Sequence, residues 1–311
     1  MILAKAPLRV SFFGGGTDIP VHYMNYTGCT VSLAIDKYVY VAVMPTPHKH
    51  IKISYSKQEL VYNVNDIQND IVREVLKYFK VESNIEITSF ADIPTIGSGL
   101  GGSSAFTCAL VAAIARWKGF DYNEYDIAEI ACIIEINKCG WNIGKQDQYA
   151  SSFGGMNAIF YQPSGISVRK MNPNYIYNYM LLIPTNITRH ASEVLDSIDF
   201  NSKVESLKEM ANIARDAAVQ DPSYNYYCEF LNRNWSLKKK LSNNISSPEI
   251  DALYKRCLDA EADAVKLLGA GGGGYLLAFS KEKAKLKKEF SDRICLDVKV
   301  SKEGAKVVYK N

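Results

Sequence analysis

The chain has 311 residues, of which 47% are hydrophobic and 22% charged, and a formal net charge of +3. This length suits one large or two ordinary domains, and the composition is typical of a soluble globular protein. The net charge is too small to indicate nucleic acid or a membrane surface as a partner. The longest apolar run, 105–115, is far shorter than the ~20 residues that cross a bilayer.

Cysteine usage and the N-terminal segment both indicate a cytoplasmic protein. The seven cysteines form no C-x-x-C pair, and several lie within apolar runs. They predict buried free thiols in a reducing compartment rather than disulfides or zinc ligands. The first nine residues contain Lys5 and Arg9 and no sustained apolar segment, so no signal peptide is predicted.

The first half of the chain has the pattern of a mixed α/β region. Short runs of β-branched and aromatic residues predict strands at 8–13, 31–34, 38–45, 51–55, 85–88 and 156–161. Apolar residues at helical spacing predict helices at 67–79, 104–117 and 123–138. Turn residues then cluster between 162 and 178, where we place a domain boundary. The predicted domains are 1–170 and 171–311.

The second half of the chain opens with an apolar run that predicts a strand at 179–183. The following pattern predicts helices near 191–198, 202–220, 224–241 and 248–268. After a glycine run come a predicted strand at 275–279, a charged helix at 281–292 and two short terminal strands. This succession resembles a split βαβ layer of the ferredoxin-like kind. The lysines at 238–240 and 281–288 have helical spacing and predict solvated helix faces.

The most informative segment is the glycine-rich loop at 93–105, which follows a strand-like run and precedes the apolar helix. A loop that ends at a helix N-terminus directs free N–H groups and the positive end of the helix dipole to one point, which suits a phosphate. Glycines let the backbone approach the anion, and the hydroxyls of Ser103 and Ser104 can bind phosphate or Mg²⁺. The alternative is a loop whose glycines only form a turn.

Two familiar phosphate motifs do not fit this loop. A P-loop requires a lysine after its last glycine, where this chain has Ser103 and Ser104. The glycines at 97, 99 and 102 satisfy the dinucleotide fingerprint, which needs an acidic residue about 20 residues on, at the end of a second strand. That distance reaches Asp121, which introduces another helix. Hydride transfer with NAD is therefore the weaker interpretation.

Three segments, in chain order, resemble the motifs of the GHMP kinases, the family of galactokinase, homoserine kinase, mevalonate kinase and phosphomevalonate kinase. They are the segment 7–18, the loop 94–105 and the glycine run 269–274. The first segment is most similar to that of sugar-1-kinases. The resemblance covers nearly the whole chain and implies an α+β fold. It would have a ribosomal protein S5 domain 2-like N-terminal domain and a ferredoxin-like C-terminal domain.

The resemblance implies that the second segment binds ATP. The residues that would line the triphosphate are Gly97, Ser98, Gly99, Leu100, Gly101, Gly102, Ser103 and Ser104. Ser104 also matches the hydroxyl ligand of Mg²⁺, and Glu135 matches the family's metal-binding carboxylate. Glu135 lies at the edge of its helix's apolar stripe, where it could face a cleft, although a surface charge is the alternative. The glycines that would support this site are Gly271, Gly272 and Gly273.

The catalytic residues are also implied by the resemblance. Asp147 matches the family's catalytic aspartate, which accepts the proton of the attacking hydroxyl or orients it. Taken alone, this aspartate would be an ordinary loop residue. Arg9 matches the arginine of the sugar kinases that lies near the γ-phosphate, and its guanidinium could hold Asp147 ionised.

The first segment departs from galactokinases at Gly15 and Gly16, where those enzymes have Glu-His. A carboxylate there would bind a free sugar hydroxyl but repel a phosphate. Two glycines instead leave space and expose N–H groups that can bind an anion. The departure therefore predicts a sugar phosphate as acceptor. Arg189 and Lys145 are the candidates for the cation that would bind this phosphate, with a surface charge or a charge on the ATP side as the alternative for each.

Thr17 and Asp18 complete the predicted acceptor site. Asp18 matches the aspartate that binds sugar hydroxyls, with a turn cap before Pro20 as the alternative. The resemblance implies transfer of the γ-phosphoryl of ATP to the anomeric hydroxyl of a heptose 7-phosphate, in the synthesis of nucleotide-activated heptose. A kinase for fucose, galactose or an N-acetylhexosamine is the nearest alternative, followed by a GHMP-fold decarboxylase or non-catalytic relative. The expected partners are ATP with Mg²⁺ and the sugar phosphate, and a homodimer is left open.

Overall fold

The computed structural model describes residues 1–188, 191–220 and 223–311, in which an eight-stranded and a four-stranded sheet are found. The strands of the first sheet are β1 (Ile2–Phe13), β2 (Gly28–Pro45), β3 (Ile51–Ser54), β4 (Gln58–Val61), β5 (Ile85–Ala91), β6 (Met156–Gln162), β7 (Gly165–Met171) and β12 (Lys306–Lys310). Those of the second are β8 (Met180–Pro184), β9 (Ala264–Leu267), β10 (Tyr275–Phe279) and β11 (Leu296–Asp297).

The α-helices of the described ranges lie between these strands. They are α1 (Pro20–Tyr26), α2 (Asp70–Tyr78), α3 (Gly102–Trp117), α4 (Glu124–Cys132), α5 (Gln146–Phe153), α6 (Ala191–Asp196), α7 (Val204–Val219), α8 (Tyr224–Lys239), α9 (Pro248–Asp259) and α10 (Lys283–Glu289). A π-helical turn, Ile133–Lys138, continues α4. No helix within the described ranges is long and apolar enough to span a membrane.

Strand β2 organises the first sheet because it has 18 residues and pairs with three neighbours. Its first half pairs with β6 and its second half with β5, both antiparallel, while β1 runs along its other side. The order from edge to edge is β12-β1-β2-β5-β3-β4, and β6 continues to β7. Within this sheet β3 and β5 are parallel, and the other pairs are antiparallel.

The second sheet has the order β11-β8-β10-β9 with all pairs antiparallel. Numbered within the sheet, this is the order 4-1-3-2. Helices α6 to α9 connect its first two strands, and α10 connects its last two. This arrangement agrees with the ferredoxin-like layer predicted from the succession of elements.

Helix α3 lies at the centre of the core and is buried on nearly all sides. Twelve of its residues, including Ala105, Leu110 and Ile114, are buried. A helix that is apolar all round must be enclosed by other elements, and α3 packs on β1, β2, α4 and α5. Because α3 begins at Gly102, its burial fixes the position of the glycine loop that precedes it.

Three predictions of secondary structure are wrong in part. The strands predicted at 31–34 and 38–45 are one continuous strand, β2, and strand β7 lies where turns were predicted. The helix predicted at 248–268 ends at Asp259, and β9 follows it. The chain passes from the first sheet to the second between Met171 and Met180, and its last strand, β12, returns to pair with β1. The predicted domain limits themselves stay a prediction.

Candidate active site

A cavity of about 1040 Å³ is lined by residues from both sheets and from the loops between them. Of the site residues predicted from the sequence, those on its wall are Arg9, Gly15, Gly16, Asp18, Gly97, Ser98, Gly99, Gly101, Gly102, Ser103, Ser104, Asp147, Gly271 and Gly273. Thr17, Leu100, Glu135 and Gly272 lie outside the wall. Arg189 lies outside the described residues.

The glycine loop has a backbone that requires glycine. Gly97, Gly99 and Gly101 all have positive φ, of 64°, 72° and 73°, a region that other residues rarely adopt. Gly101 is the N-cap of α3, so the first N–H groups of the helix have no partner within it and are available to a ligand. Ser103 is exposed in this first turn, whereas Ser104 is buried at the base of the cavity.

Leu100 anchors this loop instead of lining the cavity. Its side chain is fully buried in the core, and its carbonyl oxygen accepts a hydrogen bond of 2.9 Å from the backbone N–H of Arg9. Its own N–H donates to Ser98 Oγ at 3.2 Å. The predicted role of Leu100 in binding ATP is therefore limited here to holding the loop against β1.

The third glycine segment packs directly against the loop. A Cβ atom on Gly99 would lie 2.6 Å from the carbonyl oxygen of Leu268, and one on Gly269 would lie 2.5 Å from Gly99 Cα. The backbone N–H of Tyr275 donates to Ser98 O at 3.1 Å, which ties β10 to the same loop. Glycines on both sides thus allow two backbones to meet. Gly272 supports this contact from behind through its N–H, which donates to Ile245 O at 2.9 Å.

Arg9 and Asp147 form a bidentate ion pair on the cavity wall. Arg9 Nε and Nη2 donate to the two carboxylate oxygens of Asp147 at 2.7 and 2.6 Å, and Nη1 donates to Gly99 O at 2.5 Å. Arg9 is 3% exposed and lies near the end of β1, whereas Asp147 lies in the first turn of α5. One guanidinium thus holds the candidate catalytic carboxylate and the glycine loop together.

Asp18 connects the first motif to the N-terminus of α5. Its carboxylate accepts hydrogen bonds from Gly16 N at 2.9 Å and Gln146 N at 3.0 Å. Burial raises the pKa of Asp18 above its usual value. The carboxylate of Asp18 packs directly on Gly144, where a Cβ atom would overlap it, so this position requires glycine. Asp18 therefore caps the turn and also lies on the cavity wall, and its binding of sugar hydroxyls stays a prediction.

Thr17 closes the turn rather than facing the ligand space. Its hydroxyl donates to Gly14 O at 2.8 Å and accepts from Cys29 N at 3.1 Å, and the residue is fully buried. Lys145, predicted as one candidate for binding the acceptor phosphate, is also directed elsewhere. Its Nζ lies 3.8 Å from Glu129, and Lys145 is not part of the cavity wall.

Glu135 lies in the π-helical turn, directly behind Ser104. Its carboxylate accepts hydrogen bonds from Ser104 Oγ at 2.8 Å, from Thr107 Oγ1 at 2.6 Å and from Gln148 Nε2. The residue is fully buried, and burial raises its pKa to about 7. Single-turn π-helices are frequent at functional sites.

The side-chain oxygens of Ser104 and Glu135 are of the type that Mg²⁺ binds. Mg²⁺ is held by one or two protein oxygens together with phosphates and waters. The hydroxyl of Ser104 lines the cavity, and the carboxylate of Glu135 lies 2.8 Å from that hydroxyl, where it accepts hydrogen bonds from three side chains. Among the described residues no cluster of three or more His, Cys, Asp or Glu side chains could hold a metal by itself. Magnesium at this position would therefore depend on oxygens from a nucleotide.

Two buried lysines of the second sheet's layer were missed by the sequence analysis. Lys238 was predicted on a solvated face, but only Lys239 and Lys240 are exposed there. Lys238 is 6% exposed, lines the cavity and donates to Gly269 O, and burial lowers its pKa to about 7. Lys238 follows the buried Asn234 by one helical turn, but the burial of both residues depends on packing and leaves no local signal in the sequence.

Lys266 is the second buried lysine, in the apolar strand β9. Its Nζ donates to Ser11 O at 3.0 Å and to Phe12 O at 2.7 Å. Burial lowers the pKa of Lys266 well below its usual value. These two hydrogen bonds join the second sheet to the end of β1. No motif marked this residue, because its contact partners are distant in sequence.

Two family models and a known protein match the sequence of this chain. The model of the GHMP kinases N-terminal domain matches residues 65–155, and that of the GHMP kinases C-terminal domain matches 205–292. The chain is 32% identical over 305 residues to a D-glycero-alpha-D-manno-heptose 7-phosphate kinase of Campylobacter jejuni, with 89% of each chain covered. The chain belongs to the GHMP kinase family.

Solved structures have the same fold. A D-glycero-D-manno-heptose 1-phosphate kinase from Bacteroides thetaiotaomicron superimposes with a TM-score of 0.82 at 22% identity, and all of both chains is covered. The galactokinase of Lactococcus lactis, complexed with galactose, gives a TM-score of 0.75 at 15% identity and covers 98% of this chain and 94% of its own. At these identities the likeness concerns the fold alone.

Proposed function

We propose that this chain is an ATP-dependent sugar kinase that phosphorylates the anomeric hydroxyl of D-glycero-D-manno-heptose 7-phosphate to the 1,7-bisphosphate. The observation that carries the proposal is the Arg9–Asp147 ion pair, which lies on the wall of one cavity with the glycine loop. The name of the Campylobacter jejuni relative supports heptose 7-phosphate as acceptor. The product would serve the synthesis of nucleotide-activated heptose. A cytoplasmic location and a homodimer stay predictions from the sequence.

In the proposed reaction the anomeric hydroxyl oxygen attacks the γ-phosphorus of ATP. The bond from that phosphorus to the β–γ bridging oxygen breaks, and ADP leaves. Asp147 accepts the hydroxyl proton or orients the hydroxyl. Arg9 fixes the carboxylate through two hydrogen bonds and places positive charge beside the loop at Gly99 O. That charge stabilises the phosphoryl group during transfer.

The glycine loop and the start of α3 would bind the ATP phosphates. The unpartnered N–H groups of the first helical turn and the helix dipole both favour an anion at this position. Mg²⁺ held by Ser104 and Glu135 would supply positive charge that offsets the charge of the phosphates. Because burial raises the pKa of Glu135 to about 7, a nearby cation would favour its ionised form.

Acceptor choice is assigned to the turn after β1. A Cβ atom on Gly15 would meet only Gln146 Nε2 at 3.5 Å and Ser11 Oγ at 3.7 Å, which are ordinary contact distances. Gly15 also has no positive φ. Backbone geometry therefore does not require glycine at this position, which favours the interpretation that the space belongs to the ligand. Gly16 differs, because its φ of 99° does favour glycine.

The proposed function is tested by ADP release from ATP with a panel of sugars and sugar phosphates. The panel includes heptose 7-phosphate, heptose, fucose, galactose and N-acetylhexosamines, with Asp147→Asn as the control for contaminating activity. We expect the highest kcat/KM for heptose 7-phosphate and a product with phosphate at C1, identified by ³¹P and ¹H NMR. Preference for an unphosphorylated sugar would replace this proposal with another sugar kinase. If no acceptor in the panel stimulates ADP release, both the heptose kinase and the other sugar kinases are contradicted.

A further inference from the structure

Lys238 lies on the face of α8 that contacts the first motif. Asn234, one turn earlier on the same helix, accepts a hydrogen bond of 3.1 Å from the backbone N–H of Gly14. Residues four apart share one helix face, so Lys238 continues this face by one turn. It lines the cavity whose wall also includes Gly15 and Gly16. Lys238 therefore approaches the predicted acceptor site from the second sheet's layer.

The ammonium group of Lys238 also lies beside the glycine loop. It donates to Gly269 O, and Gly269 contacts Gly99 so closely that a Cβ atom would lie 2.5 Å from Gly99 Cα. The carbonyl oxygen of Gly99 in turn accepts a hydrogen bond from Arg9. Three backbone and side-chain contacts thus connect Lys238 to the ion pair of Arg9 and Asp147.

This buried cation has no anionic partner within the described ranges. Both oxygens of Asp147 are used by Arg9, both oxygens of Asp18 accept backbone N–H groups, and neither carboxylate lies within 4.0 Å of Lys238 Nζ. An unpaired buried charge is strongly unfavourable. Burial and the charge of Arg9 lower the pKa of Lys238 to about 7, and the carboxylates of Asp147 and Asp18, both beyond 4.0 Å, offset this only in part. An ammonium has three N–H donors, and Gly269 O accepts one.

Lys266 is different, although it is buried on the same wall. Its ammonium donates to two carbonyl oxygens, those of Ser11 and Phe12, and these bonds hold β9 against the end of β1. Lys266 is therefore a structural connection between the sheets. Lys238 has the larger remaining capacity for hydrogen bonds, because its ammonium donates to one carbonyl oxygen and that of Lys266 to two.

We propose that Lys238 binds phosphate oxygens in this cavity and that an incoming phosphate is its missing counter-ion. The inference rests on the proposed kinase function, which brings two phosphate groups into the cavity. One is the γ-phosphoryl group of ATP, and the other is the phosphate that the sugar acceptor carries. Both present the same chemistry to Lys238, a doubly charged group with several acceptor oxygens.

The test uses the full-length chain with Lys238→Met, Lys238→Gln and the control Lys239→Met. Lys239 is the adjacent lysine on α8, is exposed, and lies 3.7 Å from Asp251 at the surface. Lys238→Gln keeps a donor for Gly269 O without the charge, so it separates charge from support of the glycine run. Calorimetry gives the affinities for ATP and ADP without acceptor, and steady-state kinetics give KM for heptose 7-phosphate and for heptose.

We expect both Lys238 variants to lose roughly tenfold or more in affinity for one phosphate-bearing ligand, since hydrogen bonds to charged groups contribute this much. If Lys238 binds the γ-phosphoryl group, the affinity for ATP falls and that for ADP does not. If it binds the acceptor's phosphate, KM rises for heptose 7-phosphate and stays constant for heptose. Lys239→Met should resemble the wild type in every measurement.

Two results would overturn the inference. The first is affinity for ATP and KM for heptose 7-phosphate within twofold of Lys239→Met in both Lys238 variants. The second is an equal loss for ATP, ADP and both sugars with a lower melting temperature, which would make Lys238 a structural support. The ATP and ADP comparison needs no acceptor, so it remains informative if the wild type does not use heptose 7-phosphate. That latter result would count against the proposed function and not against Lys238.

Discussion

Asp147 and Arg9 illustrate what single side chains contribute to the candidate site. The sequence resemblance predicted that they would meet, and they form two parallel hydrogen bonds of 2.7 and 2.6 Å. The third donor of Arg9 reaches the glycine loop at Gly99 O. One guanidinium would therefore position the carboxylate that accepts the proton, hold the glycine loop and place positive charge near the transferred phosphoryl group. Its exchange for lysine would lose the bidentate geometry.

The first prediction concerns Asp147→Asn. The amide keeps the shape of the side chain but cannot accept the proton, so kcat should fall by roughly 10² or more, within the range for general base catalysis. The glycine loop is unchanged, so the affinity for ATP measured by calorimetry should change little. Wild-type turnover in this variant would remove Asp147 from the mechanism.

The second prediction concerns the proposed magnesium ligands. Ser104→Ala and Glu135→Gln should each raise the Mg²⁺ concentration needed for half-maximal rate, because few protein oxygens hold this ion. Thr107→Val is the matched control, since it removes a hydrogen bond to Glu135 but neither of the two proposed ligands. Mg²⁺ titrations that are the same in wild type and both ligand variants would place the ligands elsewhere.

The third prediction follows from the buried carboxyl group of Glu135. Its pKa is raised from 4.5 to about 7, so the folded state binds more protons than the unfolded state between these values. Stability of the metal-free protein should therefore fall as pH rises from about 4.5 to 7, by up to roughly 3 kcal/mol from this group. Urea unfolding at pH 5 and 7.5 measures this loss.

Glu135→Gln supplies the comparison for that measurement. His22, whose pKa is lowered to about 4 by burial, changes stability in the opposite direction over part of the same range. The difference between wild type and variant removes this contribution, because His22 is present in both. We expect the variant to lose less stability between pH 5 and 7.5. An equal loss in both proteins would show that Glu135 titrates normally.

At the scale of elements, the long periodic segments were predicted best. Helix α3 and strand β10 were predicted over nearly their full length because their apolar patterns are continuous, whereas the strands predicted at 8–13 and 85–88 cover only part of β1 and β5. Strand β9 was assigned to a helix, since four buried residues after a helix carry no periodicity that separates strand from helix. The pairing of β9 with β10 decides its conformation, and that contact cannot be read from the local sequence.

The candidate site was predicted to a similar extent. Glycine loop residues were found because their special backbone leaves a local signal in the sequence. Lys238 was not found, because three consecutive lysines have the pattern of a solvated face and only packing distinguishes the buried one. Glu135 was identified through the family resemblance, whereas its burial behind Ser104 depends on the packing of α3 against α4.

The fourth prediction belongs to the turn between β1 and α1. Gly15→Glu should raise KM for a sugar phosphate strongly, because two like charges about 4 Å apart repel by roughly 4 kcal/mol at an effective dielectric constant near 20. Gly15→Gln is the uncharged control of equal size, and the position has room for a Cβ atom. Stabilisation by ATP in a thermal-shift titration should persist in both. If kcat/KM for heptose 7-phosphate is intact in Gly15→Glu, the turn does not face the acceptor's phosphate.

At the scale of the whole molecule, the site depends on contact between the two sheets. The glycine loop belongs to the first sheet's layer, but at Gly99 it is covered by Leu268 and Gly269 of the second sheet's layer. Tyr275 N and Lys266 Nζ add hydrogen bonds across the same boundary, to Ser98 O and to the end of β1. The geometry of the candidate site therefore needs both layers in place.

The fifth prediction tests this boundary with a matched pair of glycines. Gly99→Ala and Gly119→Ala both place alanine at positive φ, 72° and 87°, which costs about 1 kcal/mol. Only at Gly99 does the Cβ atom also meet a backbone oxygen, that of Leu268, at 2.6 Å. Gly99→Ala should therefore destabilise more in urea and weaken ATP binding. Equal destabilisation in the two variants would mean that the boundary can separate at no cost.

The burial of α3 has a consequence for the entropy of binding. In a helix enclosed on nearly every side, the hydrogen-bonded amides beyond the first turn exchange mainly when the whole chain unfolds. Its first turn is therefore held at its final position before any nucleotide arrives. Ordering a flexible loop usually opposes association, and here most of that ordering already takes place during folding. If the proposed site binds the ATP phosphates, their affinity is coupled to the stability of the hydrophobic core.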